Sequence, residues 1–217
     1  INKIFSRHVY PEKTALQKLS VFDEELQNDF TPAQDILDQL HYYGSPATVA
    51  QTGGRYFGFV NGSTVPAGLA SRLMSDFWDQ NTAMQVISPI SSKLEIVVQK
   101  WLKELLHLPD KTVAGFVSGT SMATFCGLAA ARYRILKRKG WDINDKGLYG
   151  APHIRVVVGK HAHSTVLKAI GLLGLGKNNI EWVDSDDQGR IITDKLPVLD
   201  NNTIVVLQAG NVNTGAY

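Results

Sequence analysis

Three short apolar runs, at residues 154–158, 180–183 and 203–207, restrict the fold of this chain more than any other feature. They are rich in Val and Ile, and the segments between them are long enough to hold a helix. A strand that is apolar on both sides has to be covered on both faces, and helical crossovers bring successive strands back in parallel. Residues 164–173 read as such a helix, and an Ala-rich helix over 122–139 precedes the first run. A further apolar run, 112–117, is expected to be a buried strand leading into Ser118-Gly119-Thr120-Ser121. The pattern predicts an α/β architecture with a parallel, doubly covered sheet. Ligands of such sheets bind outside the carboxyl ends of the strands.

Residues 1–108 have a different texture. Leu16, Leu19, Phe22 and Leu26 recur at helical spacing, and 35–43 reads as a second, short helix. In 64–82, Leu69, Leu73 and Phe77 form one stripe. In 91–108, Leu94, Val97, Val98, Trp101, Leu102 and Leu105 give a strong amphipathic pattern. A loop rich in glycine and aromatics, 53–62, separates the two pairs.

Composition excludes several classes. With 44% hydrophobic residues the chain has ample surface to bury, which rules out disorder over its length. A net charge of +2 gives no electrostatic footprint for nucleic acid or an anionic membrane. Charged residues make up 19%, below the usual quarter, which leads us to expect surface covered by a partner subunit. The single cysteine, Cys126, excludes an internal disulfide framework, and its neighbours Phe125 and Leu128 predict a buried, inert thiol. No apolar run is long enough to span a bilayer, and the start Ile1-Asn2-Lys3-Ile4 lacks the features of a secretory signal. A soluble, cytoplasmic protein is expected. A first residue other than Met predicts natural sequence upstream of Ile1.

Three segments carry chemistry. Ser118-Gly119-Thr120-Ser121 opens a helix whose first N–H groups are unpaired and carry partial positive charge, a ready phosphate site; the plain alternative is that Thr120 or Ser121 caps the helix. The glycine spacing fits neither a Walker loop nor the dinucleotide fingerprint. His161-Ala162-His163 follows a strand end, where an imidazole can stack on a ring or move a proton, cap the backbone, or with its neighbour hold a metal, although no third ligand clusters nearby. Residues 208–217, with Gly210, Asn211 and Thr214, supply either a donor-rich ligand loop or an ordinary turn.

Gly119-Thr120-Ser121-Met122-Ala123 also matches the surroundings of the nucleophilic serine in subtilisin-like proteases. That chemistry needs an upstream His and Asp in their own motifs. His8, His41 and His107 are followed by Val9, Tyr42 and Leu108 rather than the glycine the motif demands, and no upstream Asp has the required sequel. A protease is excluded on this ground.

Taken together, the segments resemble the pyridoxal-phosphate-dependent decarboxylases of the glutamate and aromatic amino acid type, group II. The resemblance runs from Arg55 to Tyr217. It rests on Arg55-Tyr56-Phe57-Gly58-Phe59-Val60-Asn61-Gly62, Ser88-Pro89 with Leu94-Glu95, and Gly115-Phe116-Val117-Ser118-Gly119-Thr120-Ser121-Met122-Ala123-Thr124. It continues through Ala162-His163-Ser164-Thr165-Val166-Leu167-Lys168-Ala169, Asp187-Gln188-Gly189-Arg190 and Gly210-Asn211-Val212-Asn213-Thr214-Gly215-Ala216.

The resemblance implies a fold-type-I large domain, incomplete in this chain. Residues 1–108 would form an N-terminal helical segment that contacts a dimer partner, and 109–217 the first part of the cofactor domain. The cofactor would be pyridoxal 5'-phosphate, with no metal. Gly119, Thr120 and Ser121 would hold its phosphate, and His163 would stack on its ring and assist proton transfer. Asn211 would approach the ring or the substrate, and Asn61 the substrate carboxylate, in the partner's site. The resemblance implies a homodimer, or a complementing chain, acting on an amino acid. It also places the lysine that holds the cofactor, and the aspartate that pairs with the ring nitrogen, beyond Tyr217. This chain is therefore expected to supply the front part of an enzyme. The remaining alternatives are carbon–sulfur lyase or aminotransferase chemistry on the same fold, and a non-catalytic fragment or pseudoenzyme that binds a partner chain.

Overall fold

A computed structural model describes residues 5–62 and 64–217. The first four residues, on which the reading of a signal sequence partly fell, lie outside the described residues, as does residue 63. The chain divides into two units, Ile1–Asn81 and Thr82–Tyr217.

The first unit is built from α1 (Lys13–Gln17), α2 (Ala33–Gln39) and α3 (Pro66–Trp78). The helix expected to run through Leu26 stops early: α1 tightens into a 3₁₀ turn over Lys18–Phe22, and Leu26 stands 92% exposed. The acidic run Asp23-Glu24-Glu25 that follows has neither helical spacing of apolar residues nor a helical Asp23 backbone. α2 continues through a π turn, Leu40–Gly44, into a 3₁₀ turn, Ser45–Ala47. Two arginines tie the unit together. Arg7 donates to the carbonyls of Ser45 (2.7 Å) and Thr48 (2.6 Å), and Arg55 to those of Phe5 (3.0 Å) and Arg7. Pro66 at the first turn and a left-handed Asp79 beyond the last bound α3. Its stripe of Leu69, Leu73 and Phe77 is exposed.

The second unit opens with α4 (Pro89–Leu105), which lies within residues 1–108 but goes with this unit. Then come α5 (Thr120–Arg138), α6 (Ile143–Lys146), β1 (Arg155–Gly159), α7 (Ser164–Leu172), β2 (Ile180–Val183) and β3 (Thr203–Val206). The strands form one parallel sheet in the order β2-β1-β3, with Val156 opposite Ile180 on one side and Ile204 on the other. The expected parallel α/β arrangement is therefore present. Val156 and Val158 join Leu128, Ile135, Leu136 and Ile170 of α5 and α7 in the core. Val157 points to the opposite face and is also fully buried. Arg155 forks onto Glu181 with two 2.7 Å bonds and pins the amino ends of β1 and β2.

Two expectations are corrected. Residues 112–117 form no strand, and Val113 is 80% exposed. Among the described residues no strand pairs with this run, whose Ala114 N–H bonds instead to the Gln99 side chain (2.9 Å). An apolar run specifies burial in a sheet only when neighbouring strands lie beside it. Cys126 is exposed rather than buried. The inward stripe of α5 passes through Phe125, Leu128, Ala129 and Leu136, and position 126 lies a helical step outside it. Among the described residues, no helix is long and apolar enough to cross a membrane.

Candidate functional site

Parallel pairing brings the carboxyl ends of all three strands to one edge, where Lys160 to His163 follow β1, Asp184 follows β2 and Gln208 follows β3. The edge is tightly closed beside β1. A Cβ on Gly159 would stand 2.8 Å from Ile191, so this position has room only for glycine unless Ile191 shifts. Ile191 is held there by an antiparallel bridge to Ser185.

Asp184 binds two lysines, Lys160 through one carboxylate oxygen and Lys195 through the other (2.7 Å). The hydrogen bond from Lys160, and then that from Lys195, lower its pKa from 3.8 to about 2. The folded state thus prefers the charged carboxylate. Its stabilising effect is complete above the ordinary value and is lost as pH falls through about 2. Asp184→Asn is accordingly expected to lower the urea midpoint at neutral pH, with the gap to the parent protein narrowing as pH falls below about 4. A gap that stays constant from pH 7 to 3 would assign the effect to something other than this charge.

Arg132, in the C-terminal half of α5, donates to the Leu173 carbonyl just past the end of α7 (2.5 Å) and ties the two helices together. Gly119 precedes α5, and no side chain caps it. The first intrahelical bond here runs from the Ala123 N–H to the Gly119 carbonyl, leaving the N–H groups of Thr120, Ser121 and Met122 free of helical partners. Thr120 and Ser121 are exposed, and a Cβ on Gly119 would meet nothing within 4 Å. The helix start is open and donor-rich, with the positive end of its dipole facing outward. These donors fit a phosphate group.

His163 is the N-cap of α7. Its Nδ1 accepts from the Thr165 N–H at 3.2 Å and lies 2.8 Å from the Thr165 hydroxyl. The capping reading and the ring-facing reading are compatible, because capping occupies one nitrogen and leaves Nε2 and the ring faces. Asn211 has turned into its own loop. Its side-chain oxygen accepts from the N–H groups of Asn213 (2.9 Å) and Thr214 (3.2 Å). The loop is fastened to the turn that follows β2. Thr214 donates to the Gln188 carbonyl (2.7 Å), and a Cβ on Gly189, whose φ is +80°, would lie 2.1 Å from the Asn211 amide nitrogen. Arg190, Gln208, Asn211 and Tyr217 line part of a cleft of ≈ 640 Å³.

Gly119, Thr120, Ser121, His163 and Asn211 all lie in one unit, with His163 and Asn211 just past the carboxyl ends of β1 and β3. Asn61 lies in the other unit, where its amide donates to the Tyr56 hydroxyl (3.2 Å). Its loop holds Phe59 and Val60 at positive φ and leaves Phe57 and Phe59 93% exposed. Among the described residues no group of three His, Cys, Asp or Glu side chains could hold a metal ion. The sequence reading gave no role of their own to Thr165 or Gln188, and named Thr214 only as part of its loop. Thr165 could have been found, since a hydroxyl two residues after a helix-start His is placed to meet its ring.

The profile described as "Pyridoxal-dependent decarboxylase conserved domain" matches residues 16–215. The human protein named "Acidic amino acid decarboxylase GADL1" is 24% identical over 184 residues, 83% of this chain and 33% of that protein. The crystal structure of mouse CSAD superposes with a TM-score of 0.76 at 23% identity, covering 88% of this chain and 39% of that one. The structure of Oryza sativa TDC with PLP and tryptamine gives a TM-score of 0.75 at 21% identity, covering 89% and 41%. The chain spans about a third of the human relative's length. At these identities the two solved structures bear on the fold, which they share with the helices and parallel sheet described above.

Proposed function

Since the chain belongs to the pyridoxal-dependent decarboxylase family, we propose that it binds pyridoxal 5'-phosphate and serves the decarboxylation of an L-amino acid. The observation that carries this reading is the open, uncapped start of α5 in the same unit as the sheet edge that carries His163. The free N–H groups of the first turn and the hydroxyls of Thr120 and Ser121 would hold the phosphate, with Gly119 keeping the approach clear. The bound cofactor supplies an electron sink for the pair released as carbon dioxide leaves. His163 would lie against the ring and hold a proton at Nε2. The Asn211 loop, fastened to Gln188, would close one side of the crevice. Asn61 would meet the substrate carboxylate in a partner's site.

We further read residues 1–108 as a helical segment that contacts a second copy or a complementing chain, and 109–217 as the first part of the cofactor domain. The exposed stripe Leu69, Leu73 and Phe77 supports such a contact. A cytoplasmic location fits a chain with one cysteine.

The test is direct. Thr120→Val and Ser121→Ala are each expected to weaken cofactor binding by on the order of 1–2 kcal/mol for a lost charge-assisted hydrogen bond. That is about five- to thirtyfold in Kd, read by fluorescence titration with pyridoxal 5'-phosphate. Unchanged affinity in both variants would refute the phosphate site. Carbon dioxide release from a panel of acidic and aromatic amino acids, measured on the natural gene product, tests the reaction and sorts the substrate class.

A further inference from the structure

The His163 ring is held by two groups of a single residue. A backbone amide can only donate, so the Thr165 N–H at 3.2 Å requires a lone pair on Nδ1. The proton of the neutral ring then sits on Nε2. The Thr165 hydroxyl, 2.8 Å away and free to rotate, becomes a second donor to the same lone pair. Two donors anchored to one rigid helical turn restrain both the rotation of the ring and its tautomer.

We propose that Thr165 is a positioning residue: it fixes the plane and tautomer of His163, so that the ring offers Nε2–H as its free donor edge. This goes beyond capping. A cap needs only some acceptor at position 163, whereas the crevice needs one orientation of one tautomer. The inference rests on the cofactor reading for its effect on turnover, but not for its effect on the ring. It also bears on what His163 can do: a neutral ring with its proton on Nε2 meets a neighbouring group as a hydrogen-bond donor, not as a base.

Selective ¹⁵N labelling of histidine rings in the natural gene product, read at about pH 8 where an ordinary imidazole is neutral, tests this. The signal that disappears in His163→Ala is expected to report a single tautomer, protonated at Nε2. Thr165→Val keeps the size and the backbone donor but loses the hydroxyl. With the backbone N–H still holding the tautomer, it is expected to free the ring to rotate and so shift and broaden the His163 ring signals, to lower several-fold the circular dichroism that bound pyridoxal 5'-phosphate acquires, and to reduce kcat while leaving KM nearly unchanged. Thr165→Ser is expected to restore all three. Ring signals unchanged in Thr165→Val, or not restored by Thr165→Ser, overturn the proposal. If His163→Ala leaves the cofactor's dichroism and turnover untouched, the cofactor reading of His163 fails, while the ring signals still decide the role of Thr165.

Discussion

Replacing His163 by Ala in the natural gene product is expected to slow turnover by about 10²–10⁴-fold, the range lost when a positioned proton-handling side chain is removed. The fold should suffer much less. His163 caps α7 through Nδ1, and losing an N-cap costs about 0.5–2 kcal/mol. His163→Asn separates the two roles, since asparagine caps a helix well but has no ring. It should recover the stability lost in His163→Ala and none of the turnover. Specific activity of the folded fraction, set beside the melting temperature, checks both halves. A large drop in melting temperature with normal specific activity would assign His163 to structure alone.

Leu136→Ala is expected to be the most damaging single truncation in the sheet unit. Leu136 is 0% exposed and packs in the cluster that joins α5 and α7 to β1. Removing a fully buried leucine side chain costs about 2–5 kcal/mol, because the lost transfer energy is joined by the cavity left behind. For a chain of this size that corresponds to a fall of roughly 2–4 °C in melting temperature per kcal/mol. Val198→Ala, at a position 88% exposed, serves as the control and should stay within about 0.5 kcal/mol. Equal effects of the two substitutions on the urea midpoint would mean that the cluster is not the core of this unit. Since α5 also presents Thr120 and Ser121, cofactor retention should fall in Leu136→Ala only as far as the folded fraction does.

The sheet was legible in the residues because its signals are short-range. Ile180–Val183 and Ser164–Leu172 stand almost where apolar runs and helical spacing put them. Residues 112–117 misled because being apolar says nothing of which strand is available as a neighbour. Leu26 misled because spacing alone does not register the acidic run that ends α1. At the site, a helix start at Ser118-Gly119-Thr120-Ser121 was visible, but the residues left open whether Thr120 or Ser121 caps it, and no side chain does. The fastening of the Asn211 loop was not visible, because it depends on the bond from Thr214 to Gln188 across 26 positions of sequence. The capping of α7 by His163 was one of the readings its neighbours allowed. What the residues could not rank was whether that capping competes with a second role, and the geometry shows one nitrogen engaged and the other left over.

The strand order carries a consequence for how the chain is made. β1 is central, yet both of its neighbours come later in the sequence. During synthesis its two hydrogen-bonding edges therefore emerge bare, and at about 5–20 residues per second the second edge stays unpaired for several seconds until β3 follows. For that interval α5, already made when β1 emerges, and then α7, made directly after it, are the elements able to shield the Val156 and Val158 face from other nascent chains.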